Sequence, residues 1–168
     1  MKEEIDSMLD ELREEASITR RVLERVPGEK LSWKPHPKSM SLGQLAFHVA
    51  NIPGNLAKLV QMEEFDAAQA NFQPPVPGDI NEIRTAFEQS IETAEDYLAR
   101  LTEQEGKASW RLTLRGKEVF RKPRLRVLRS ILLNHWYHHR GQLSVYLRLL
   151  EVPVPVIYGR SADENPFA

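Results

Sequence analysis

Apolar side chains recur at Ile5, Met8, Leu9, Leu12, Ala16, Leu23 and Val26, with Thr19 on the same face and charged residues between them. That three-to-four-residue spacing predicts an amphipathic helix, which Pro27-Gly28 ends. Residues 27–40 hold three prolines and exposed lysines and read as a loop, although Trp33 is costly to leave in water and is expected to fold back onto the body. Ser41 then reads as an N-cap, with Gln44 placed to complete a capping box. Leu42, Leu45, Val49, Ile52, Leu56, Leu59 and Val60 predict a second helix to about Glu64, bent near Pro53-Gly54. After a proline-rich connection over 66–79, Asp79 caps a third stripe of Ile80, Ile83, Phe87, Ile91, Ala94, Leu98 and Leu101.

Trp110 to Leu114 alternates briefly before Arg115-Gly116-Lys117, and Val119 and Phe120 follow, which predicts a short hairpin too small to found a sheet. Pro123 is placed as the first residue of a fourth helix, lined by Val127, Leu128, Ile131, Leu132, His135, Leu143, Val145, Tyr146 and Leu149 and running to about Leu150. From about 151 a proline-rich tail is expected to lie extended over the helices. The fold class expected is all-α: a single domain over residues 1–168, built as a four-helix bundle with long crossover connections and a short β-hairpin before helix 4. The connections of about 14, 14 and 20 residues are too long to assume a plain up-down-up-down order.

Composition narrows the function. Over 168 residues, 23 Lys and Arg against 24 Asp and Glu leave a formal charge of -1, which argues against a whole-surface field for nucleic acid or anionic lipid. There is no cysteine, so any metal must be held by His, Asp or Glu. The acidic, amphipathic N-terminus and the lack of any long apolar run predict a cytoplasmic chain without membrane association.

Three of the five histidines lie within Asn134-His135-Trp136-Tyr137-His138-His139-Arg140. His135 and His139, four residues apart on a helix, lie one turn apart on one face, a spacing that more often serves capping, stacking or surface chemistry than ligation. His48, mid-helix beside Leu45, Val49 and Ile52, adds an imidazole that needs a partner on a partly buried face. Three inward histidines on two facing helices make a facial metal site with positions open to water or substrate. Zinc and nickel lead as the ion, and manganese or iron also suit imidazole. His138 is rotated about 100° from His139 and reads as an interface, surface or supporting group. Tyr137, Arg140, Asn134 and Gln142 are the polar groups nearby in sequence, spread over different faces; the first three are the catalytic candidates, and for Arg140 a salt bridge to an acidic helix is an equal alternative. Trp136 reads as packing or interface.

Ser41-Leu42-Gly43-Gln44-Leu45-Ala46-Phe47-His48, followed late in the chain by His135-Trp136-Tyr137-His138-His139-Arg140-Gly141-Gln142, resembles the DinB family. Trp33-Lys34-Pro35, Val152-Pro153 and Tyr158-Gly159 extend the resemblance over nearly the whole chain. It implies a bundle with a long crossover, a homodimer, and one divalent ion per chain held by His48, His135 and His139. The wider DinB/YfiT-like superfamily includes transferases that activate a low-molecular-weight thiol and enzymes resembling maleylpyruvate isomerases. The resemblance therefore implies a metal-dependent hydrolase or thiol-dependent transferase with a small-molecule substrate and, for the transferase, a thiol cosubstrate. The alternative is a non-catalytic metal-binding or interaction protein. Residues 107–129 carry nine basic residues and one acidic one, but they lack a helix-turn-helix or aromatic-basic signature, so nucleic-acid binding ranks third.

Overall fold

The computed structural model describes residues 2–71 and 73–167. Its long helices are α1 (Lys2–Glu24), α2 (Leu42–Leu59) and α3 (Ile80–Arg100), followed by a short α4 (Glu103–Lys107). A fourth column is composite: α5 (Arg124–Val127) passes through a π-helical stretch, Leu128–Asn134, into α6 (His135–Leu149). α1 and α2 each pack on both α3 and α6, so α1 and α2 occupy one diagonal of the bundle. Leu12, Leu45, Val49, Phe87, Leu98, Leu132, Trp136 and Leu143 fill the space between them. This is the helical bundle the periodicity predicts, and the diagonal placement of α1 and α2 accounts for the long connection over 27–40. Among the described residues, no helix is long and apolar enough to cross a membrane.

Local chemistry sets the helix starts. Ser41 Oγ accepts from Gln44 N–H while Gln44 Oε1 accepts from Ser41 N–H, and Asp79 accepts from the N–H groups of Asn81 and Glu82. Trp33 folds back as expected, edge-on to Tyr146 with ring centroids 5.6 Å apart. α2 and α3 approach closely at Gly54, whose N–H donates to Ser90 Oγ at 2.8 Å; a Cβ there would stand 2.8 Å from Ser90 Cα.

Three features differ from the sequence expectation. α2 stops at Leu59 rather than near Glu64, and just beyond its end the buried Arg124 guanidinium donates to the Val60 and Met62 carbonyls, supplying partners for carbonyls at the helix C-terminus. Residues Glu64–Asp66 leave as β1 and pair in parallel with β2 (Ser109–Leu114), which is antiparallel to β3 (Lys117–Pro123). The hairpin is thus part of a three-stranded mixed sheet, order β1-β2-β3. Arg115 and Gly116 turn it with φ of 52° and 76°, the positive pair that a type I′ turn requires, and the Asp66 carboxylate accepts from both of their N–H groups. Finally, Pro123 is not the first helical residue: its ψ of 140° is extended, it closes β3, and the helix starts at Arg124.

The tail is held over α1 and α6 by side-chain bonds. Arg21 and Arg25 pair with Glu164, Arg148 pairs with Asp163, and Tyr158 reaches Arg140.

Candidate metal centre

A hydrogen bond that Pro53 of α2 makes possible ties α2 to α6 beside the histidines. Pro53 has no N–H to give to the Val49 carbonyl four residues earlier in α2, so that carbonyl is free, and it accepts the Trp136 indole N–H at 2.9 Å. Trp136 is fully buried, which makes it a packing residue, and its bond sets the start of α6 against the middle of α2. His135 and His139 then face His48. Their ring centroids lie 4.5 Å (His48–His139), 4.6 Å (His135–His139) and 5.4 Å (His48–His135) apart, and one nitrogen from each ring lies within 4.8 Å of the others. Nε2 of His135 and Nε2 of His139 are 2.8 Å apart, and His139 Nδ1 is 2.7 Å from Gln142 Oε1. No other group of three or more His, Asp or Glu converges in this way among the described residues.

The donor set suits a divalent ion. Imidazole nitrogens sit about 2.0–2.1 Å from zinc, so three of them around one ion stand roughly 3–3.5 Å apart, within small side-chain movements of the spacing seen. Burial, reinforced by the neighbouring imidazoles, holds His48 down at about 4; burial does the same to His139, at about 4, against the opposing pull of Gln142. His135 is also lowered by burial, although the Ile131 carbonyl one turn back favours a proton on the ring; its buried Nδ1 makes no well-formed hydrogen bond. The rings are therefore neutral, as ligation requires, well below the usual histidine range.

These shifts have a measurable consequence for the metal-free protein. In the unfolded chain these histidines take up protons near 6.5, whereas in the fold His48 and His139 resist until about 4. The unfolded state therefore binds more protons across that window, and stability is fully present above it and falls as pH drops from about 6.5 towards 4. Thermal melts in chelator should show a smaller acid loss for a triple His→Gln variant than for the wild type; parallel curves would contradict the assignment.

The catalytic candidates lie differently. Tyr137 and Arg140 turn towards α1: the Tyr137 hydroxyl donates to Glu11, and burial together with that carboxylate pushes its ionisation well above the ordinary tyrosine range. Arg140 is buried against Glu15. Asn134 and His138 are exposed, with the His138 ring 5.0 Å from His139. The sequence reading grouped Gln142 with neighbours on scattered faces, yet its three-residue spacing from His139 is the signal that places it beside that ring.

The DinB family model matches residues 1–165. The chain belongs to the DinB family. Among its relatives, YrdA of Bacillus subtilis (strain 168), an uncharacterized protein, is 26% identical over 168 residues, spanning 98% of this chain and 93% of YrdA. The crystal structure of a DinB-like protein from Bacillus cereus ATCC 10987 superposes with a TM-score of 0.69 at 22% identity, covering 91% of this chain and 97% of that one. The DinB-like protein YjoA of Bacillus subtilis gives 0.68 at 20% identity, covering 90% and 96%. At these identities the structures show a shared DinB fold, and the chemistry has to be read from this chain's residues.

Proposed function

We propose that this DinB-family protein is a metal-dependent enzyme acting on a small molecule, by hydrolysis or by transfer to a low-molecular-weight thiol. His48, His135 and His139 are the ligands, and zinc or nickel is preferred over manganese or iron. The observation that carries the reading is the convergence of three neutral imidazoles from two helices, within 4.8 Å of one another. A divalent ion in such a set keeps its charge and open positions, and supplies Lewis-acid polarisation and an acidified water or thiol. The chain's own part is to keep the three rings neutral and aimed together, through burial and through the Trp136–Val49 lock.

The same three imidazoles also support a second, non-catalytic metal-binding reading, since they would hold an ion whether or not a substrate is turned over. Screening metal-loaded protein against hydrolytic substrates and against thiol-plus-electrophile pairs separates the two. The enzymatic reading expects turnover in one class that disappears on chelation and in His139→Ala. Inactivity in both classes with metal firmly bound would favour the binding reading.

The basic segment is largely engaged within the chain. Lys107, Arg111, Arg121 and Arg129 pair with Glu103, Glu64, Glu118 and Glu11, and Arg124 is taken up by carbonyls. Glu64, Glu118 and Glu11 lie outside residues 66–105, a stretch that holds nine Asp and Glu against two Arg.

A further inference from the structure

We propose that Gln142 is a positioning residue for the metal centre: its side-chain carbonyl holds His139 with the ring proton on Nδ1, and so presents a bare Nε2 to the ion. The inference rests on the metal-binding reading of the three histidines and adds a residue outside the ligand set. A neutral imidazole carries one ring proton, and a carbonyl oxygen can only accept. The 2.7 Å contact between Gln142 Oε1 and His139 Nδ1 is therefore satisfied with the proton on Nδ1. The lone pair is then on Nε2, the nitrogen 2.8 Å from His135 Nε2 and on the side where the rings converge. Without an acceptor at Nδ1, the proton is free to occupy Nε2, where it blocks ligation.

Two further observations separate this role from a structural one. Gln142 is exposed, and among the described residues its side chain makes no second hydrogen bond, so the fold does not depend on it. His135, by contrast, has only the Ile131 carbonyl near its buried Nδ1, with no side chain to fix its proton. Gln142 is thus the side-chain partner that orients a ring of the cluster. Partners of this kind characteristically change metal affinity about 10–100-fold when removed.

The test compares wild type, Gln142→Leu and Gln142→Glu by zinc competition against a chromophoric chelator, and by long-range proton–nitrogen NMR of the ring nitrogens in the metal-free protein. The expected result is an Nδ1-protonated His139 in wild type and Gln142→Glu, loss of that state in Gln142→Leu, and zinc binding about 10–100-fold weaker in Gln142→Leu alone. The carboxylate keeps an acceptor at the same place, so affinity in Gln142→Glu should equal or exceed that of wild type. An Nε2-protonated His139 in wild type overturns the proposal, as does an unchanged ring and unchanged affinity in Gln142→Leu. If wild type takes up no zinc, the metal reading fails, and the spectra of the metal-free protein still decide whether Gln142 holds the His139 proton.

Discussion

Alanine at His48 is expected to weaken zinc binding by more than about a hundredfold, beyond what the loss of an outer hydrogen-bond partner costs. At zinc about a thousand times the wild-type dissociation constant, it should also cut the stabilisation that zinc confers to about a third or less. His48 is the sole member of the trio on α2, so an ion bound to all three ties α2 to α6, whereas the pair left behind lies on α6 alone. With ligand at about a thousand times its dissociation constant, binding contributes about 4 kcal/mol to the native state. In a chain of this length, that corresponds to a rise of roughly 8–16 °C in melting temperature. Differential scanning fluorimetry with and without zinc reads both parts. A zinc-induced shift in the His48→Ala variant equal to that of wild type would show that α2 takes no part.

Arg140→Met should produce the largest loss of stability, about 3–5 kcal/mol, because it leaves a buried carboxylate without its cation. The Arg140 side chain is 1% exposed, and its Nη1 lies 2.5 Å from Glu15 Oε2 and 3.0 Å from Thr19 Oγ1, while Nη2 donates to the Tyr158 hydroxyl. Tyr158 in turn donates to Glu15 at 3.1 Å, so α1, α6 and the tail meet at one buried ion pair. Removing Glu15 as well, in Glu15→Gln/Arg140→Met, should restore part of the loss. The check is a urea midpoint that falls with unchanged slope. Zinc affinity of the folded variant should stay near that of wild type, since every Arg140 hydrogen bond runs to α1 or the tail rather than to a histidine. A loss below about 1 kcal/mol would place Arg140 among surface pairs.

The parts of the fold written in local pattern were legible: the four apolar stripes, the Ser41–Gln44 box, the Asp79 cap and the Arg115-Gly116 turn are each specified by neighbours in sequence. β1 was not, because three residues are too few to show alternation and its pairing partner lies more than forty residues away. The short α4 carries its own Thr102–Glu105 capping box, but no apolar run follows to draw attention to it. The π-helical stretch before His135 leaves no mark in an apolar periodicity that either geometry satisfies.

The site divides in the same way. The one-turn spacing of His135 and His139 could be counted along the chain, and the half-buried setting of His48 followed from its apolar neighbours. Their meeting depends on how α2 packs against α6, including the Trp136 indole that takes the Val49 carbonyl left free by Pro53, a relation between two helices that neither segment shows alone. The assignment of Tyr137 and Arg140 to a face depended equally on where α1 would lie, which their own sequence does not state.

The central claim is that His48, His135 and His139 form one metal site, and the most direct measurement is elemental analysis of untagged protein after zinc loading and desalting, compared with the triple His→Ala variant. The account predicts about one zinc per chain in wild type and almost none in the variant, with both showing the same helical circular dichroism. Equal zinc in the two proteins, or none in the folded wild type, would contradict it.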